Sequence, residues 1–172
     1  MAKRSSTESL LRSSGALGNV IGDRGEIVFE LAITDYSQFR FPLFRPAFLG
    51  AKWPTIDYYV ELLGVPNGSP FFLAQIKTTR EPLSQNALVL EIKVERAKCA
   101  RLFRIPGPTY LIGVHEPTQR AFLRSVHEVP MQGIYRIPLS NELTPSNLRV
   151  LHQEVRDFWR SRPSKPISSH FG

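Results

Sequence analysis

Residues 55–79 read TIDYYVELLGVPNGSPFFLAQIKTT. Two runs rich in aromatic and branched side chains, 56–63 and 71–78, flank a centre holding Pro66, Asn67, Gly68 and Pro70, which supply turn chemistry. The composition predicts a β-hairpin. Because side chains alternate between the faces of a strand, Gln75 and Lys77 share one face while Ala74, Ile76 and Thr78 take the other. On the partner strand Asp57, Tyr59 and Glu61 share a face, and a turn centred on Asn67 sets Asp57 directly opposite Lys77. A slip of one residue would carry Asp57 to the other side, so the pairing assumes an odd-length loop or a compensating bulge.

Working outward, residues 18–34 bring Ile21, Val28, Phe29, Ala32 and Ile33 back at helical spacing, with Glu26 and Glu30 four apart on another stripe. The aromatic stretch FRFPLFRPAFLG follows, where Pro42 and Pro46 argue for an edge strand running into a loop. Beyond the hairpin a strand is expected over 87–92 and a helix over about 94–103, ended by the Pro106-Gly107-Pro108 breaker. Strands follow at 110–115 and 121–126. Thr144 or Ser146 caps a last helix running to about Trp159, with Leu148, Leu151, Val155, Phe158 and Trp159 on its apolar stripe. Helix, strands, helix, strands, helix is an α/β order with a mixed sheet covered by helices.

Asp57 and the Gln75 carbonyl are hard oxygen ligands suited to magnesium, with manganese as its substitute, and Lys77 adds a localised positive charge beside them. Together such groups can orient a water and neutralise charge growing on a phosphate, the requirements of phosphodiester hydrolysis. An Asp followed by a hairpin and then Q-x-K resembles the PD-(D/E)XK nuclease superfamily, with Gln75 standing where an acid is usual. The likeness is closest to a bacterial group with a G-E helix, a V-Q-x-K strand and a later Pro before an apolar strand. Its steps read here as RGEIVFEL, PTIDYYVEL, LAQIKTT and GPTYLIGVHEPTQRAFLRSV, and Ile56 precedes the Asp where that group commonly has Gly. The resemblance implies a restriction-endonuclease-like fold, DNA as substrate, and Glu26 of the first helix as a further ligand beside Asp57 and Gln75.

Each residue also has a plainer reading. Lys77 alone could snorkel to solvent, Asp57 could shape a turn after Pro54, and Gln75 could bond the backbone. Glu26 competes with Glu30, and either could pair with Arg24. Thr78, Thr79 and Arg80 could contact phosphates or merely end a strand. His115, His127 and His152 lack metal-ligand spacing and receive no role. Tyr58, Tyr59, Phe71 and Phe72 read as core and cross-strand pairs, with Tyr59 at the border of the site if the register holds.

The 172 residues fit one domain over 18–160, between a basic flexible segment at 1–17 and a flexible tail at 161–172. Twenty-two Lys and Arg against 15 Asp and Glu give +7, which favours a polyanion such as DNA. The lone Cys99 excludes an internal disulfide and a thiolate zinc cluster, and no run has signal or membrane-span length, so a cytoplasmic protein is expected. Two functions follow as expectations. The first is a magnesium-dependent DNA nuclease, acting on duplex as a homodimer or with a partner protein and placed in bacterial defence or mobile-element biology. The alternative is a catalytically weak or inactive nuclease-fold protein serving as a nucleic-acid-binding or protein-interaction module.

Overall fold

The first helical stripe winds into α1, Ala16–Ile33, and buries Val28, Phe29 and Ile33. The computed structural model describes residues 15–50, 53–66, 68–83 and 88–162; most of the two expected tails, and Asn67 and Ala87, lie outside these. After α1 come three strands, β1 (Phe44–Phe48), β2 (Tyr58–Leu62) and β3 (Phe71–Thr79). Next are β4 (Val89–Val94) and α2 (Arg96–Phe103), then β5 (Thr109–His115) and β6 (Arg120–Ser125). The last described elements are β7 (Ile134–Pro138) and α3 (Pro145–Arg160).

Five strands form one sheet in the order β1-β2-β3-β5-β6, and β4 pairs with β7 in a separate two-stranded ribbon. Only β3 and β5 run parallel. A parallel pair needs a long crossover, which residues 80–108 supply through β4 and α2. The expected α/β fold, a mixed sheet flanked by helices, is therefore present.

The hairpin forms, with a different register. Tyr58 pairs with Ala74 and Val60 with Phe72, two residues away from the alignment that sets Asp57 opposite Lys77. The last cross-strand bond, from Leu62 N to Pro70 O at 2.9 Å, centres the loop on Pro66 rather than Asn67, and Tyr58, Val60 and Leu62 join Phe72 and Ala74 in one apolar cluster. A shift of two leaves every side chain on its expected face. The strand expected at 87–92 belongs to the ribbon, and its partner β7 was not anticipated. A break in register between Glu91 and Val94 leaves β7 with buried Ile134 and Ile137 three apart, so the alternation that signals a strand is lost.

Each face of the sheet has its own core. On one face β2, β3 and β5 pack against Phe29 and Ile33 of α1 and against Leu148, Leu151 and Val155 of α3. Thr144 caps α3 by accepting from Asn147 N at 3.3 Å, and Trp159 Nε1 donates to Phe71 O at 2.7 Å, tying the helix to β3. On the other face Leu73 and Leu111 meet Leu90, Val94 and Ile137 of the ribbon and Cys99 and Leu102 of α2. Gly113 permits that layer to sit close, since a Cβ there would lie 2.6 Å from Leu90 Cδ2 and 2.9 Å from Ile137 Cδ1. Both sheet edges are modified: β1 contains Pro46, and Leu143 N and Asn141 Nδ2 donate to Ala121 O and Leu123 O of β6 at 2.8 and 3.0 Å.

Candidate functional site

Gly25 brings α1 against the end of β3. A Cβ at this position would lie 1.8 Å from Thr78 Oγ1, so a side chain cannot fit unless the strand end moves. The next residue, Glu26, is thereby held beside β3. A cavity of about 330 Å³ opens here, lined by Gly22, Glu26, Asp57, Ile76, Lys77 and Thr78 among others.

Asp57 is pinned at three points just before β2. Its N–H donates to Ala74 O at 2.9 Å, its carbonyl accepts from Leu49 N at 2.9 Å, and its Oδ2 accepts from Ile76 N at 2.6 Å. Burial pushes its carboxyl up from the ordinary range, opposed by the Ile76 N–H and by Lys77. The Glu26 carboxyl is also pushed up, first by burial and then by the charges of Asp57, Asp23 and Glu30. Lys77 moves the opposite way: burial and the charge of Lys98 push it down, against the pull of Asp57. All three groups of the cavity are thus displaced toward their neutral forms, a pattern that favours a compensating ion or ligand.

Of the four residues singled out in the sequence, Glu26, Asp57 and Lys77 share this cavity. Gln75 does not line it. It is buried, 5% exposed, and its Oε1 has no hydrogen-bond partner. Glu30, the competitor of Glu26, accepts from Tyr58 Oη at 2.8 Å and so has a bond within the fold. Tyr59 stacks on Phe71 with ring centres 4.9 Å apart and does not border the cavity. His115 and His152 are held by Thr118 Oγ1 at 2.7 Å and Leu63 O at 2.9 Å.

Compared with known families, curated proteins and solved structures, the chain matches none. Among the described residues no three His, Cys, Asp or Glu side chains form a metal-holding group, and no helix is long and apolar enough to cross a membrane.

Two participants escaped the sequence reading. Glu116, in the turn between β5 and β6, pairs with Arg24 at 2.6 Å and Arg80 at 3.2 Å, bracing α1 and the end of β3 on either side of the cavity. Its partners stand 92 and 36 positions away in the chain, so no local pattern announces them. Lys98 acts on Lys77 across the fold, and only the crossover through α2 brings the two near.

Proposed function

We propose that this protein is a metal-dependent nuclease that hydrolyses phosphodiester bonds of DNA, as the resemblance to the PD-(D/E)XK superfamily implies. The observation that carries the reading is one cavity lined by two carboxylates and a lysine, all displaced toward neutrality. Glu26 and Asp57 would hold magnesium or manganese. The two carboxyls fit such an ion: raised by burial and by charge, they gain from a cation. When bound, the ion supplies a positive charge that polarises a phosphodiester and lowers the pKa of a nearby water.

The chain's own groups divide the remaining tasks. The Ile76 N–H engages Asp57 Oδ2 and fixes the carboxylate rotamer, so the site is organised before any ligand arrives. Lys77, with its pKa lowered, offers donors to a phosphate and can exchange a proton nearer neutral pH than an exposed lysine can. Thr78 adds a hydroxyl at the rim.

A second reading, a DNA-binding protein without catalysis, is favoured by one fact: the cavity has two carboxylates where Gln75 replaces a third acid. Cleavage of labelled single- and double-stranded DNA with magnesium or manganese decides between the readings. The wild type should cut, while Asp57→Asn and Lys77→Met should lose about a hundredfold or more in rate, the scale of one acid-base or electrostatic group. Equal background from all three proteins rejects the enzyme and leaves the binding module.

A further inference from the structure

The five ion pairs among the described residues engage Arg24, Arg45, Arg80, Arg120 and Arg156. The densest basic segment takes part in none of them. Residues 93–104 carry Lys93, Arg96, Lys98, Arg101 and Arg104 against the single acid Glu95, a net +4 of the chain's +7. All five cations are exposed. Cys99 and Leu102 are buried in the second core, so α2 keeps a fixed side inward and its charges remain on the solvent side. The helix packs too firmly for these charges to be a loose solubility tail.

This surface adjoins the candidate site. Lys98 is near enough to Lys77 to bear on its charge, and Lys77 lines a second cavity of about 340 Å³ with Thr78, Thr79 and Lys93. That cavity is balanced, since Glu81 and Glu91 oppose Lys77 and Lys93, and it offers a polyanion no net attraction. The unneutralised charge lies on the helix. Eight residues of helix extend about 12 Å, enough for roughly three successive phosphates of one DNA strand at 3.4 Å of rise each.

We infer that one side of α2, through Lys98, Arg101 and Arg104 spaced three apart, is the docking surface for the phosphate backbone of DNA leading to Lys77. The inference rests on the proposed function for the identity of the polyanion, and its test does not require cleavage. Binding of a labelled 20-base-pair DNA duplex is measured in EDTA across a salt series for the wild type, for Lys98→Gln/Arg101→Gln/Arg104→Gln, and for a control, Arg149→Gln/Arg156→Gln/Arg160→Gln on α3. Removing three phosphate contacts should make the slope of log affinity against log salt shallower by about 2–3 and weaken binding at least tenfold at about 0.1 M salt. The control should change the slope by less than about one. Arg101→Lys/Arg104→Lys, which keeps the charge, should bind like the wild type, and a melting temperature of the Gln triple equal to the wild type's shows that lost binding is not lost folding.

Equal weakening by the two Gln triples, or none by the α2 triple, overturns the inference. Cleavage by the wild type without dependence on α2 would leave the nuclease standing and remove this surface. Binding that depends on α2 without cleavage in magnesium or manganese would do the reverse.

Discussion

Asp57 illustrates how a buried carboxylate opposes stability. Its carboxyl titrates above its ordinary range, chiefly through burial, so the folded chain holds that proton more tightly than the unfolded chain. The stability this gives is present below the unfolded carboxyl pKa and is lost as pH rises through the folded one. At neutral pH the ionised group is therefore a cost. Asp57→Asn removes the charge and keeps an acceptor for Ile76 N–H, so it should melt about 2–4 °C higher, equivalent to roughly 1 kcal/mol. Asp57→Ala leaves that N–H unpaired and should be less stable than the Asn variant by about 1–3 kcal/mol. Thermal denaturation at pH 7 reads both, and an Asn variant melting below the wild type contradicts the assignment of strain to Asp57. Raised carboxyls at Glu26 and Asp57 also mean that a cation must displace protons, so manganese affinity by calorimetry should fall steadily from about pH 7 to about pH 5. At this scale the sequence was informative in part: Asp57 and Lys77, chosen from their strand spacing, line one cavity, whereas Gln75, on the face of Lys77, does not. It was silent on Gln75, whose burial depends on the ribbon lying over that face, and on Glu116, whose two arginines are remote in the chain.

The contact of α1 with β3 is the element-level device that assembles the site. Gly25→Ala should gain slightly from helix propensity but lose more to the collision with Thr78 Oγ1, for a net cost of about 1–3 kcal/mol. In a Thr78→Ala background only Cβ remains, at 3.0 Å, and the cost should shrink toward zero; denaturant unfolding of the four proteins of this cycle reads the coupling. An undiminished cost would place the collision elsewhere. The helix itself was legible from its 3.6-residue stripe, and the hairpin from its turn residues. The hairpin register was not, because the loop admits more than one alignment and a shift of two residues keeps the same side chains on each face. β7 was hidden for a related reason, since its irregular pairing with β4 spaces the buried residues as no regular strand would.

For the whole molecule, two cores share one sheet, and Gly113 on β5 lets the second lie close. Ile137→Ala, buried in that second core, should cost about 2–5 kcal/mol. Because β5 belongs to both layers, the loss should appear as one cooperative transition by near- and far-ultraviolet circular dichroism; two separated transitions would show that the ribbon with α2 folds independently. The layering was readable in outline from the order of elements, while the division into sheet and ribbon depends on β4 pairing with β7, whose partners stand 40 to 49 positions apart in the chain. The treatment of the sheet's margins has a consequence for assembly. Pro46 withholds an N–H on one side, and segment 141–143 already occupies carbonyls on the other, so neither border invites a foreign strand to extend the sheet. Runaway fibrillar stacking along this sheet is discouraged, and a second copy of the chain would have to dock through side chains rather than by backbone zippering.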